Sequence, residues 1–199
     1  MSKVVIQGHA SGTGDFTIAA RNSDTDRTLT LPDAGGTLDR LDRAGNVLQV
    51  VSVHKSDTTS YYGTTFYTVP SLSVSITPSS TSSKILITGQ IMLGGSVDFT
   101  YIRLLRDSTA INIGDAASNR PQISGQFPYS STTSQYSVIG SPIMYLDAPS
   151  TTSAITYKIQ MRGGDPVTVH YVNRSASDRD TANYEARAAS SLIAMEIAG

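Results

Sequence analysis

Ser190-Ser191-Leu192-Ile193-Ala194-Met195-Glu196-Ile197-Ala198 is the stretch that decides how this 199-residue chain folds. In an extended strand, side chains alternate between two faces. Ile193, Met195 and Ile197 therefore share one face, and Leu192, Ala194 and Ala198 share the other. Both faces are apolar, and such a strand needs packing on both sides. Residues 47–54 repeat the pattern: Val47, Val51 and Val53 point one way, Leu48 and Val50 the other. One side of each strand is assigned to the protein's own core. The other side is expected to meet a neighbouring subunit, with Val47, Leu48, Val50, Leu192 and Ala194 as interface residues.

Between these two runs lies a succession of strand-like segments, at 64–69, 72–77, 84–93, 99–106, 136–146, 154–161 and 167–173. The breaks carry turn formers: Pro70-Ser71, Pro78-Ser79, Gly94-Gly95, Asp107-Ser108, Pro149-Ser150 and Gly163-Gly164-Asp165-Pro166. Many strands with frequent turn signals indicate an all-β chain, with residues 47–199 as an antiparallel jelly-roll β-sandwich. Two longer loops are expected, at 112–134 and 174–189, the second with a possible helical turn near Glu185. The doubly apolar first and last strands resemble those of trimeric jelly rolls of the tumour necrosis factor-like type. In these, the first and last strands lie side by side in an inner sheet that faces the threefold axis. The resemblance implies a homotrimer.

Residues 1–46 read as a separate module. In Arg27-Thr28-Leu29-Thr30-Leu31 polar and apolar residues alternate, and Pro32-Asp33-Ala34-Gly35-Gly36 supplies turn chemistry before Thr37-Leu38. A hairpin of this size is marginal alone in water, so it is expected to fold against copies of itself. Together with Phe16-Thr17-Ile18-Ala19-Ala20, the segment Leu29-Thr30-Leu31-Pro32-Asp33-Ala34-Gly35-Gly36-Thr37-Leu38 resembles one that recurs in bacteriophage tail-fibre proteins, ahead of a receptor-binding head. The resemblance implies a β-hairpin anchor for virion attachment and trimerisation, with Phe16, Ile18, Leu29, Leu31 and Leu38 as its apolar residues. Residues 39–46 read as a linker or a short helix.

Composition narrows the function. Charged residues make up 16% of the chain and the formal net charge is −1. A usual soluble domain has about a quarter charged residues. No basic field is available for nucleic acid or anionic lipid. The chain has no cysteine, so neither a disulfide framework nor a thiolate metal site is expected. The apolar run Val4-Val5-Ile6 is too short for a signal peptide or a membrane span. A virion component assembled in the host cytoplasm fits these features, with no membrane insertion.

No catalytic constellation appears. The histidines His9, His54 and His170 lack metal-ligand spacing. No serine sits in a Gly-x-Ser-x-Gly elbow, and the carboxylates are scattered over turns rather than paired as glycoside hydrolysis requires. No enzyme activity, cofactor or metal is expected. Binding candidates are the loop aromatics and an arginine: Tyr61, Tyr62, Phe127, Tyr129, Arg179 and Tyr184. Aromatic side chains offer flat apolar contact, and tyrosine adds a polar handle. The sequence thus reads as a trimeric phage tail fibre that adheres to a host surface glycan or lipopolysaccharide and docks on other virion proteins through residues 1–46. The alternative is a capsid head fibre or decoration protein with a purely structural role.

Overall fold

The computed structural model describes residues 11–12, 43–94, 98–127, 134–181 and 183–199. The expected hairpin and its residues Phe16, Ile18, Leu29, Leu31 and Leu38 lie outside the described residues.

Among the described residues eleven strands form in chain order: β1 (Val47–Lys55), β2 (Thr59–Tyr62), β3 (Tyr67–Ile76), β4 (Lys84–Gly94), β5 (Thr100–Arg106), β6 (Thr109–Ile111), β7 (Gly125–Phe127), β8 (Val138–Asp147), β9 (Ile155–Gly163), β10 (Val169–Val172) and β11 (Ser190–Ile197). Every strand pair is antiparallel. The first sheet runs β1-β11-β4, with β8 along the other edge of β4 and β10-β2 continuing beyond the end of β11. The second sheet runs β3-β9-β5, with the short β6 and β7 both on the far side of β5. With β2 and β10 set aside, and β6 and β7 taken as one interrupted strand, the sheets read 1-8-3-6 and 2-7-4-5. That is the jelly-roll order. As expected, the first and last strands lie side by side, in register from Gln49↔Glu196 to Lys55↔Ser190.

The core lies between the sheets. Val51, Ala194 and Ile87 form one inward row across β1, β11 and β4, and Tyr145 of β8 extends it. Facing them are Leu72, Val74, Ile102, Leu104, Tyr157, Ile159 and Met161 of the second sheet. Burial of this many aliphatic side chains, each worth about 1.5–3 kcal/mol, is the main stabilising term.

Two expectations are corrected here. Leu192 and Ala194 are 0% exposed within one chain, so they fill its own core and are unavailable to a neighbouring subunit. Their alternates, Ile193, Met195 and Ile197, take the outward face. Pro70-Ser71 is also a bulge within β3 rather than a break between strands. The register with β9 shifts between Thr68 and Ser73, and Ser71 adopts φ 56°. Because β3 is an edge strand, a proline without an N–H is tolerated there. Pro142 sits in β8, an edge strand of the first sheet, for the same reason. The strands β2, β6 and β7 are too short to have shown a period in the sequence.

At the start of the described domain, residues 43–46 form a turn, with Asn46 N donating to the Arg43 carbonyl (3.0 Å) and Gly45 N donating to the Ala198 carbonyl (2.8 Å). Buried polar groups close the two ends of the sandwich. At one end Glu196 accepts from Ser79 N (2.7 Å), Ser79 Oγ (2.6 Å) and Gln49 Nε2 (2.6 Å). Asp147 accepts from Arg106 (2.9 Å) and from Tyr157 Oη (2.7 Å). At the other end Asn173 Nδ2 donates to the carbonyls of Lys55 (2.8 Å) and Asp57 (2.9 Å), and its Oδ1 accepts from Ser190 Oγ (2.6 Å). Satisfied in this way, buried polar groups fix one arrangement of the strands they join.

Candidate functional site

Two surfaces stand out once the fold is known. The first is the outer face of the β1-β11-β4-β8 sheet. Pairing registers place Val50, Met195, Leu86 and Leu146 in one row across four strands. The next row is Ser52, Ile193, Thr88 and Met144, and the third is His54, Ser191, Gln90 and Pro142. The rows grade from apolar to polar along the strands. Met144 is 74% exposed, Val50 56% and Leu146 50%. Val47, also exposed, pairs with Ile197 beyond the first row. Of the expected interface residues, Val47 and Val50 therefore lie on this face, and Leu48 lies at the bulge beside them.

The second surface is the loop between β10 and β11. It starts where Gly94 of β4 passes beneath it: a Cβ there would come within 1.9 Å of the Arg174 carbonyl oxygen. Only glycine lets the loop lie this close to the strand. A bridge pairs Arg174 with Arg187 across the loop. Asp178, at φ 46°, accepts from Arg174 Nη1 (2.9 Å) and in bidentate fashion from Arg187 (2.8 Å from each of Nε and Nη2). Glu185 accepts from Ser175 Oγ, from Ser177 Oγ (2.6 Å) and from Arg179 Nε (3.1 Å). These bonds, that from Ser175 above all, hold its carboxyl down at about 2. Asp178, Arg179, Asp180, Thr181, Glu185 and Arg187 contribute to the lining of a cavity of about 470 Å³. Tyr184, 68% exposed, stands beside it with its ring 6.3 Å from that of Tyr136. Arg179 lies over the Tyr136 ring at 4.9 Å. The expected helical turn near Glu185 does not form.

The expected binding residues are thus divided. Arg179 and Tyr184 come together, with Tyr136 as a partner that sequence reasoning missed. Tyr61 and Tyr62 are in strand β2, not in a loop; Tyr61 packs against the core and stacks on Tyr67 at 4.8 Å, while Tyr62 is exposed. Phe127 is corrected outright: it is 2% exposed and belongs to the core. Tyr129 lies outside the described residues. Sequence reasoning also missed a group of aromatic and arginine side chains on the outer face of the second sheet: Phe66, Tyr101, Arg103 and Arg162. The signal was present. Tyr101 and Arg103, like Gln160 and Arg162, are two residues apart in strands whose alternate residues are apolar.

Chemically, the loop holds Asp178 and Glu185 as acceptors of three hydrogen bonds each. The buried His170 is held by Thr100, whose Oγ1 lies 2.8 Å from Nδ1, and burial pushes its pKa down. Among the described residues, no three His, Cys, Asp or Glu side chains are grouped to hold a metal ion. No helix among them is long and apolar enough to cross a membrane.

No family model matches the chain, and no curated protein matches it. Among solved structures it is similar to a chain of the infectious bursal virus derived T=1 particles, at 13% identity and a TM-score of 0.38. The match covers 88% of this chain and 41% of that one, so this chain spans about two fifths of the other's length.

Proposed function

We propose that the chain is a phage virion fibre protein whose jelly-roll head assembles as a homotrimer and adheres to a glycan of the host surface. The observation that carries this reading is the row Val50, Met195, Leu86 and Leu146, apolar across all four strands on the outside of the first sheet. Large contiguous apolar patches on a soluble protein mark interaction sites. Copies of the chain are the economical partner, because closed symmetric assemblies of identical subunits are the commonest oligomers. The pairing of β1 with β11 in the same sheet supports a threefold arrangement, since trimeric jelly rolls turn that sheet toward their axis. Residues 1–46 attach the head to the virion, as the resemblance to tail-fibre segments implies. Three weakly binding sites on one rigid head gain strength on a repetitive surface through effective concentration.

Light scattering on the full chain tests the reading most directly. A mass three times that of the 21.1 kDa chain is expected at micromolar concentration. A mass of one chain would refute it.

A further inference from the structure

The outer face of the second sheet carries an arrangement that the fold does not need. Arg103 of β5 lies over the Phe66 ring with its Cζ 3.8 Å from the centroid. Arg162 of β9 approaches the same ring at 5.7 Å and the Tyr101 ring at 5.6 Å. Tyr101 stacks in turn on Phe99, with centroids 6.2 Å apart and planes inclined by 8°, and Phe99 is 37% exposed. Two guanidiniums and three rings thus form one continuous surface. The register explains how they meet: Tyr101 is paired with Arg162 and Arg103 with Gln160, so the two arginines are diagonal neighbours on one face.

Their charges are uncompensated among the described residues. Among the described residues neither guanidinium has an ion pair with a carboxylate. Arg103 gives its Nε to Gln160 Oε1 (2.8 Å) and Arg162 gives its Nε to the Gly163 carbonyl (2.9 Å). The terminal amino groups of both have no hydrogen-bond acceptor among the described residues. The rings attract each cation through their faces, but like charges on neighbouring strands repel. Partial burial also lowers the pKa of Arg103, so this cation has lost water without gaining an anion. The loop cavity behaves in the opposite way, because Arg174, Arg179 and Arg187 are all paired with carboxylates there.

We propose that this face binds anionic saccharides. Arg103 and Arg162 pair with carboxylate or phosphate substituents, which match the planar fork of a guanidinium. Phe99 and Tyr101 pack against the apolar faces of adjoining sugar rings. The rings favour a saccharide over a purely electrostatic partner, and a net charge of −1 disfavours nucleic acid, which needs many phosphate contacts. The surface lies on the sheet opposite the apolar rows, so it stays open when those rows are covered. Its biological role rests on the adhesive reading above.

The test is titration calorimetry on the full chain with five polymers: polygalacturonate for carboxylate, phosphomannan for phosphate, methyl-esterified polygalacturonate and dextran as neutral counterparts, and single-stranded DNA as the nucleic-acid polyanion. Binding to at least one anionic saccharide is expected, at least tenfold tighter than to either neutral one and weakening with salt. The Arg103→Gln/Arg162→Gln double variant should lose that affinity by at least tenfold with its mass in light scattering unchanged. If that variant does not fold, Arg103→Lys/Arg162→Lys, which keeps the charge but not the fork, should lose at least threefold. Equal affinity for the neutral polymers, no binding to either anionic one, tighter binding to single-stranded DNA, or unchanged affinity in the folded variant would overturn the proposal. Because mass is measured separately, a trimer that fails to bind and a monomer that binds are distinct results.

Discussion

The two sheets of this sandwich share one core, yet their outer faces have opposite chemistry. On the first, Val50, Met195, Leu86 and Leu146 line up across four strands. On the second, Arg103, Gln160 and Thr68 line up across three, joined by hydrogen bonds of 2.8 and 3.2 Å, and Ser75 meets Thr156 at 2.8 Å. A sandwich that exists alone in water needs only inward apolar faces, with polar residues alternating outward. Along this polar row the second sheet follows that rule, and along its own row the first breaks it. The contrast therefore teaches more than either face by itself: among the described residues, only one side of the sandwich carries a row that is apolar across four strands.

The sharpest way to break the comparison is to give the first face the chemistry of the second. Met144→Glu with Leu146→Glu should dissociate the proposed trimer at micromolar concentration, read as a fall in mass to one chain. Each apolar side chain withdrawn from the interface removes about 1.5–3 kcal/mol per subunit, and the introduced carboxylates add repulsion between subunits. A mass that does not change would mean that the face is not the interface.

A smaller effect is expected beneath β11, where Glu196 is buried on the inward side. Burial pushes its carboxyl up, but hydrogen bonds from Ser79 and Gln49 outweigh this and hold it at about 2, against an ordinary value of 4.5. The unfolded chain therefore takes up the proton first. Stability from this group is complete above about pH 4.5 and is lost as the pH falls toward 2. His170 adds an earlier loss. Its folded pKa is depressed by burial from 6.5, so the unfolded state binds protons first from about pH 6.5 downward. Melting temperature should decline from that pH. Glu196→Gln should cost about 1–3 kcal/mol at pH 7 and flatten the part of the decline below pH 4.5. A variant as stable as the parent, with the same acid profile, would contradict this.

The smallest effect belongs to the second face. Gln160→Ala interrupts the polar row where water can replace it, and should change unfolding free energy by no more than about 0.5 kcal/mol with no change in mass. A loss of several kcal/mol would show that this face, too, is structurally committed.

Much of this was legible in the residues. Strands β1, β4, β5, β9 and β11 announce themselves as apolar-rich runs between turn formers, and the pairing of the first with the last is what the resemblance to trimeric jelly rolls implied. Which side of β11 faces inward was not legible. Leu192 and Ala194 are no more apolar than Ile193 and Met195, and the choice is made by the register with β4 and by the room left opposite, as where Gly89 admits Leu192. Phe127 was misread because three residues of β7 are too few to display a period, although the flanking Gly125 pairs with Ile102. In the candidate surfaces, Arg179 and Tyr184 were found because they are near in sequence. Arg103, Arg162 and Phe66 were missed because three separate segments of the chain bring them together.

The position of β11 has a consequence for how the protein is made. It sits between β1 and β4, strands that leave the ribosome well over a hundred residues earlier in β1's case. Until residues 190–197 emerge, both of those strands present open hydrogen-bonding edges, and the outer apolar row lacks Met195. A polypeptide that stops short of residue 190 therefore leaves both edges unpaired and the outer apolar row incomplete.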